Sequence, residues 1–253
     1  MKITVLGSGS AVSNPGRFNS CYMVEVKGSC LLIDCGSDEL RALQAQRVDL
    51  SSVNEIVISH MHADHCAGLP AVLTAMHVLG RKEPIVIRIP YTQLEFVNLW
   101  LANLFIYKGR MSFDFNLIPI RTGKVPVGSE SELEFNQTRH LEKYAQYAGS
   151  FGISPLSFSI IVREKNRTFF FSSDINSTDE VKSFVEMNSV SLIEATHPPM
   201  VEIAEMAKSA AGNIFFTHIP RELEPEGEWT EELRVQHGVF NLNMVHDGQI
   251  FEV

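Results

Sequence analysis

The pattern of hydrophobic and polar positions predicts a chain in which short strands alternate with helices. Residues 2–6 alternate and stop at Gly7-Ser8-Gly9-Ser10, which is typical of a strand that runs into a turn. Further strands are predicted at residues 22–26, 30–33, 55–58, 85–89, 111–120, 157–162, 168–171, 190–195 and 213–217, with a closing pair within 240–253. Helices are predicted over about 66–79, 92–105, 201–211 and 230–236. This alternation is typical of sheet layers covered by helices, an α/β fold.

The chain shows no fixed-period repeat and no low-complexity linker over its 253 residues. We therefore expect one domain (1–253) built from two pseudo-symmetric halves, about 1–125 and 126–253. Residues 221–228, rich in Pro and Glu, are expected to form a surface connection. With 45% hydrophobic and 20% charged residues, the composition is that of a globular protein large enough to fold without disulfides.

The net charge limits the binding partners that we expect, and the cysteines indicate the cellular compartment. The net charge is −9, from 21 basic and 30 acidic residues, and no basic run exceeds Arg81-Lys82. Extended nucleic-acid binding needs clustered basic residues and is therefore disfavoured. The four cysteines are unevenly spaced in apolar context, which favours buried thiols in a reducing compartment. No stretch resembles a signal peptide or a membrane span, so we expect a cytoplasmic protein that does not bind membranes.

Five short apolar runs each end in a residue type that can bind a metal. These residues are Asp34, His60, Asp174, Glu194 and His218. In α/β architectures, side chains from separate strands converge at the carboxyl ends of those strands. The repeated ending therefore predicts a functional site at one sheet edge.

The densest group of such residues lies at 60–65, His-Met-His-Ala-Asp-His. His60 and His62 are two residues apart, so on extended backbone their side chains point the same way and can chelate one ion. Asp64 and His65 follow where the chain turns into a helix, and they could bind a second ion. A single histidine is usually an ordinary surface or core residue, but three with an Asp in six residues indicate metal binding.

These residues resemble a known superfamily. His60-x-His62-x-Asp64-His65 after Asp34-Cys35-Gly36 resembles the metallo-β-lactamase superfamily. The stretch 6–12, Asn19-Ser20 and Gly68-Leu69-Pro70 are similar to the ribonuclease Z group. The resemblance implies a four-layer αββα sandwich with a dinuclear metal site at one edge.

The resemblance also implies roles for individual residues. His60, His62 and His140 would hold one metal, Asp64, His65 and His218 the other, and Asp174 would bridge both. Asp34 would orient the histidine motif through a hydrogen bond. Asp34, Asp64 and His197 are the candidate catalytic residues. Mixed His and carboxylate ligands suit two divalent ions, Zn²⁺ or Mn²⁺, with Fe as a further option. A hydroxide bridging the two ions would be the nucleophile, and the remaining charge of about +1 would suit a phosphodiester monoanion.

Two departures from the ribonuclease Z pattern affect the expected substrate. The chain between residues 162 and 168 is only five residues long, so the arm that grips transfer RNA in that group is absent. Ile193 stands where that group has a histidine, and His197 appears four residues later. Thr196-His197-Pro198-Pro199 resembles the armless cyclic phosphodiesterases of phosphonate degradation, in which a histidine here assists catalysis. His197 is therefore a candidate general acid, the alternative being a structural histidine that caps the strand.

We accordingly predict a dinuclear metal-dependent hydrolase that acts on small or cyclic phosphodiesters. A ribonuclease Z-type endonuclease is the nearest alternative. A lactone or thioester hydrolase is another, since the same metal pair can polarise a carbonyl. A metal-binding module without enzymatic activity is a fourth interpretation. The resemblance also carries the expectation of a homodimer.

Overall fold

The computed structural model describes residues 1–12, 16–223 and 228–253. Within this part of the chain, fourteen strands form two seven-stranded sheets. The strands are β1 (Lys2–Gly7), β2 (Cys21–Val26), β3 (Ser29–Ile33), β4 (Glu55–Val57), β5 (Ile85–Pro90), β6 (Phe115–Ile120), β7 (Gly123–Val127), β8 (Ser131–Thr138), β9 (Ser157–Glu164), β10 (Arg167–Phe171), β11 (Val190–Glu194), β12 (Asn213–Thr217), β13 (Leu242–Met244) and β14 (Ile250–Glu252). The α-helices are α1 (Glu39–Ala45), α2 (Ala63–Cys66), α3 (Leu69–Val78), α4 (Leu94–Asn103), α5 (Ala145–Ala148), α6 (Lys182–Val185), α7 (Met200–Ala207) and α8 (Glu228–His237).

Each sheet contains a run of parallel strands whose carboxyl ends share one edge. The first sheet has the order β14-β1-β2-β3-β4-β5-β6, in which β3 to β6 are parallel. The second has the order β13-β12-β11-β10-β9-β8-β7, in which β10 to β13 are parallel. Parallel strands bring loop residues from different parts of the chain to a common edge.

The alternation of side chains within strands produces four layers. In β2, Tyr22 and Val24 belong to the core between the sheets, whereas Cys21 and Met23 belong to the core beneath the helices of the first sheet. In β10, Phe169 and Phe171 face the other sheet, and Phe170 packs in the core that contains residues of α6, α7 and α8. Because strand side chains alternate between faces, each sheet packs on its partner with one face and on helices with the other. The αββα sandwich is confirmed.

The two closing strands predicted within 240–253 form, but they lie in different sheets. β14 pairs antiparallel with β1, with Lys2 opposite Glu252, whereas β13 pairs with β12 in the other sheet. Each strand covers the edge of a different sheet, so the end of the chain passes from one sheet to the other. Of the loop 221–228, residues 221–223 form a 3₁₀ turn and 224–227 lie outside the described residues.

The predicted helix over 66–79 is two helices, α2 and α3, separated near Gly68. A Cβ atom at Gly68 would lie 2.1 Å from the Gly36 carbonyl oxygen and 2.8 Å from the Glu39 Cβ. The Gly68 amide donates to the Cys35 carbonyl at 2.9 Å, and the Cys35 amide donates to the His65 carbonyl at 2.7 Å. Only glycine permits this approach, which fixes the loop after β3 against the histidine motif.

Other boundaries differ less. The predicted strand 111–120 begins only at Phe115, and the predicted helix 92–105 is a 3₁₀ turn (Tyr91–Gln93) followed by α4.

The four cysteines are buried and unpaired, which confirms the expectation of structural thiols. Burial raises the pKa of Cys30 to about 11 and that of Cys66 to about 12. None of the described helices has the length and apolar character needed to cross a membrane.

The buried carboxyl group of Glu39 makes stability depend on pH. Glu39 is 1% exposed, and neither carboxyl oxygen has a hydrogen-bond partner among the described residues. Burial raises its pKa from 4.5 to about 8, and interaction with the Cys21 thiol opposes this only in part. Between these pH values the folded chain holds a proton that the unfolded chain has lost. The free energy of unfolding therefore falls as pH rises through this range, by up to about 1.4 kcal/mol per pH unit from this group.

We expect Glu39→Gln to remove this contribution, because an amide does not titrate. Urea unfolding of the variant and the wild-type chain at pH 5.5, 6.5 and 7.5 measures it. The variant's free energy of unfolding should decline less steeply with pH than that of the wild type. Parallel pH profiles would show that Glu39 is ionised in the folded chain.

Candidate metal centre

The polar residues at the sheet edge are placed there by strand ends and by unusual backbone turns. Asp34, Ser173 and His218 follow β3, β10 and β12, and all three have left-handed backbone, with φ of 63°, 51° and 51°. A non-glycine residue in this region costs about 1–3 kcal/mol and persists only where the surrounding structure enforces it. These turns end their strands abruptly and direct the following chain into the site.

The first cluster contains three imidazoles and one carboxylate. His60 Nε2 lies 3.1 Å from His62 Nδ1, and His140 Nε2 lies 3.2 Å from the same atom. Asp174 Oδ2 is 3.5 Å from His140 Nε2 and 3.8 Å from His60 Nε2. His140 follows β8, so this cluster joins residues from both sheets.

The second cluster lies on the other side of Asp174. His218 Nε2 is 3.0 Å from Asp64 Oδ2, and His65 Nε2 is 3.3 Å from Asp174 Oδ1. Asp174 Oδ1 is also 3.7 Å from His218 Nε2. The two oxygens of Asp174 therefore face different clusters, Oδ2 the first and Oδ1 the second.

The protonation states differ between the clusters. Burial lowers the pKa of His60 and His62, and it lowers that of His140 to about 3, so these imidazoles are neutral and present lone pairs. Burial also acts to lower the pKa of His65, but the charges of Asp174 and Asp34 outweigh it and hold that pKa well above its usual value. Protons held by the second cluster are the kind that a bound cation displaces.

The donor set fits divalent metal ions. A tetrahedral ion with nitrogen ligands at about 2.0–2.1 Å separates those nitrogens by roughly 3.3 Å, close to the distances in the first cluster. His65 Nε2 and Asp174 Oδ1 are buried without a hydrogen-bond partner in the described part of the chain. Buried polar atoms are rarely left unpaired, so these two are suited to ligation. The ligand atoms of each cluster lie within 4.8 Å of one another.

Asp34 lies directly behind the second cluster. Its Oδ2 is 2.7 Å from His65 Nδ1 and accepts a hydrogen bond from the Ser59 hydroxyl at 2.8 Å, and its Oδ1 accepts one from the Ser59 amide at 2.7 Å. Asp34 is fully buried, so this contact fixes the ring orientation of His65 and directs Nε2 toward Asp174. The orienting role of Asp34 stays a prediction, and this is the contact through which it would act.

Glu194 and His197 complete the site. Glu194 is fully buried at the end of β11 and accepts hydrogen bonds from the Ile175 amide at 2.7 Å and the His197 amide at 2.9 Å. His197 Nδ1 lies 2.9 Å from Glu194 Oε2, and its ring is 4.5 Å from that of His140. Because Nδ1 of His197 contacts Glu194, the other ring nitrogen, Nε2, is left without a hydrogen-bond partner among the described residues.

In the sequence, Glu194 stands out only as the end of an apolar run. Its contact with His197 is found only in the structure. Two signals pointed toward the contact: a carboxylate directly after three apolar residues, and a histidine three positions further on. All the other predicted site residues lie at this edge. The structure brings seven of them into the two clusters, with Asp34 and His197 adjacent.

Comparison with known proteins identifies the family. A family model described as anti-Pycsar protein Apyc1 matches residues 1–231. A ribonuclease Z from Methanosarcina acetivorans is 28% identical over 148 residues, 58% of this chain and 48% of that protein. The chain thus matches about half the length of this curated relative.

Solved structures share the fold over the whole chain. The metallo-β-lactamase fold protein YhfI from Bacillus subtilis superposes with a TM-score of 0.75 at 21% identity, covering 100% of this chain and 99% of that one. A diphosphatase of the PhnP family superposes with a TM-score of 0.71 at 18% identity, covering 100% and 97%. The family model that matches residues 1–231 shows that the chain belongs to the Apyc1 family of anti-Pycsar proteins, within the ribonuclease Z-like group of the metallo-β-lactamase superfamily.

Proposed function

We propose that this chain is a dinuclear metal-dependent phosphodiesterase that hydrolyses small or cyclic phosphodiesters. The position of Asp174 carries the proposal, because its two oxygens face two separate groups of ligands. His60, His62 and His140 would hold one ion, and Asp64, His65 and His218 the other. Two divalent ions, Zn²⁺, Mn²⁺ or Fe, would supply an activated water and positive charge for the phosphoryl oxygens.

The charges of the site favour an anionic substrate. Asp64 and Asp174 neutralise only part of the charge of two divalent ions, so a positive field faces the substrate. The rest of the chain is acidic, with a net charge of −9, which disfavours long polyanions. A local positive site on an acidic protein suits a small phosphodiester monoanion.

The chain's own residues would prepare and complete the reaction. Asp34 fixes His65 through the 2.7 Å contact at Nδ1. Glu194 holds His197 at Nδ1, so Nε2 is the atom that would give a proton to the leaving oxygen. A leaving alkoxide needs this proton, whereas a phenolate with a low pKa does not.

A ribonuclease Z-type endonuclease is the second candidate, since curated relatives carry that name. The connection between β9 and β10 argues against it. Arg167 pairs with Glu164, so only Lys165 and Asn166 separate the strands, and no arm can extend from this hairpin. We therefore expect small diesters to be preferred over precursor transfer RNA by at least about 100-fold in kcat/KM, roughly 2.7 kcal/mol in transition-state binding.

One substrate panel separates the candidates. The same metal-loaded sample is offered bis-p-nitrophenyl phosphate, a cyclic ribonucleoside phosphodiester, precursor transfer RNA and an acyl lactone. Hydrolysis of the two small diesters supports the proposal. Efficient trimming of a transfer-RNA 3′ trailer at physiological salt would replace it with the endonuclease. Hydrolysis of the lactone alone would indicate carbonyl chemistry, and inactivity on all four would favour a metal-binding module.

We also propose that the protein is located in the cytoplasm. The four cysteines are buried and free, which suits a reducing environment and supports an enzyme that acts in the cytoplasm on a small molecule.

A further inference from the structure

A short turn after the ligand His140 places a cation and an aromatic ring at the rim of the site. The 3₁₀ turn covers Glu142–Tyr144 and follows Leu141, which is only 6% exposed. The Tyr144 amide donates to the Leu141 carbonyl at 3.0 Å. The buried Leu141 thus anchors the backbone of the turn next to His140.

The Tyr144 side chain lies beside the first metal-ligand cluster, and the Lys143 side chain lies beside Tyr144. The Tyr144 ring is 5.5 Å from the His62 ring and perpendicular to it, and Lys143 Nζ lies over the Tyr144 ring at 5.3 Å from its centroid. A continuous series of contacts therefore joins the Lys143 ammonium to a metal ligand.

Lys143 has no acidic partner within 4.0 Å in the described part of the chain. This distinguishes it from Lys2, Lys124 and Lys208, which pair with Glu25, Glu132 and Glu205 at 2.6–2.9 Å. An unneutralised ammonium next to a site for cations is repelled by those cations. The arrangement becomes favourable when an anion lies between them.

We propose that Lys143, held over the Tyr144 ring, is a substrate-binding residue that contacts an anionic oxygen of the phosphodiester from outside the metal-ligand set. This role rests on the proposed function. An ammonium on a flexible stem binds a phosphoryl oxygen as a point charge. It therefore favours charged phosphodiesters over neutral carbonyl esters, a selection that the metal ligands alone do not provide.

Lys143→Met tests this role against a matched control, Lys108→Met. Lys108 is also exposed and lies over an aromatic ring, Phe115, at 5.7 Å. Phe115 begins β6, so Lys108 lies at the end of the sheet opposite the site edge. Lys143→Met should raise KM for bis-p-nitrophenyl phosphate about tenfold with kcat little changed, the scale of one partly exposed charge-assisted hydrogen bond. Lys143→Arg should retain most of the wild-type KM, and Lys108→Met all of it.

Equilibrium binding of inorganic phosphate to the metal-loaded protein separates this inference from the proposed function. If the wild-type chain cleaves no phosphodiester, the proposed function fails, and the phosphate Kd still reports on Lys143. We expect Lys143→Met to raise that Kd about tenfold and to make it less dependent on salt, with metal content unchanged. Values of Kd equal to those of Lys108→Met, or loss of metal from Lys143→Met, would overturn the assignment.

Discussion

Asp174→Ala should remove both metal ions and lower phosphodiester hydrolysis on the order of 10⁴-fold, the scale at which loss of a whole catalytic unit is felt. Asp174 Oδ2 lies near His140 and His60, and Oδ1 lies near His65 and His218. One substitution therefore takes a ligand from both clusters. His218→Ala takes a ligand only from the second, so it should weaken mainly one ion.

Elemental analysis and kcat on the same samples measure these effects. Asp179→Ala is the matched control, because Asp179 is an exposed carboxylate five residues further along the chain. It should keep the metal content and rate of the wild type. If Asp174→Ala still binds two ions per chain, Asp174 is not the bridge and the ligand assignment is wrong.

His197→Ala should retain metal and lose rate according to the leaving group. On alkyl or ribosyl phosphodiesters the loss should be about 10²–10⁴-fold, the range of general-acid catalysis. On p-nitrophenyl esters it should be much smaller, since the phenolate leaves without a proton. The contact of Nδ1 with Glu194, at 2.9 Å, and the 28% exposure of the side chain place His197 where it can exchange a proton with substrate or solvent.

His237→Ala is the control for this variant. His237 lies at the end of α8, with Nδ1 2.6 Å from Glu205, so it is a histidine with a carboxylate partner away from the candidate metal centre. It should leave both substrate types unaffected. Equal losses on both types of ester in His197→Ala, or loss of metal, would return His197 to a structural role at the end of β11.

The strand ends were the most predictable part of the site. β3 and β4 are buried on both faces, so the sequence shows apolar runs at 31–33 and 56–58, the first followed by Asp34 and the second, after Ser59, by His60. Convergence of such residues follows from parallel pairing alone. The pairing of Asp34 with His65, by contrast, also needed the close approach at Gly68, which local patterns do not encode.

Strands β7 and β8 show why some of the fold was not predicted. In β8 only Leu133, Phe135 and Thr138 are buried, and charged or polar residues lie between them. Leu133 and Phe135 share one face of the strand, and the strand has no continuous apolar run. β7 is an edge strand and contains Pro126, a residue that argues against a strand unless the edge is known.

The rim of the site depends on tertiary contacts. Tyr144 meets His62 although 82 positions separate them, because β8 carries His140 to the edge of the first sheet. Glu194 binds the Ile175 amide across two strands in the same way. Neither contact leaves a periodic signal in the sequence. The residues can be read from the sequence, but the residues that they contact cannot be predicted from it.

Stepwise addition of Zn²⁺ or Mn²⁺ to the chelator-stripped protein, with bis-p-nitrophenyl phosphate hydrolysis followed at each step, measures whether two ions per chain make an active phosphodiesterase. We expect the rate to remain low up to one equivalent, to rise steeply with the second and to reach its plateau at two. A plateau at one equivalent, or two bound ions without hydrolysis of any small phosphodiester, would contradict a dinuclear phosphodiesterase.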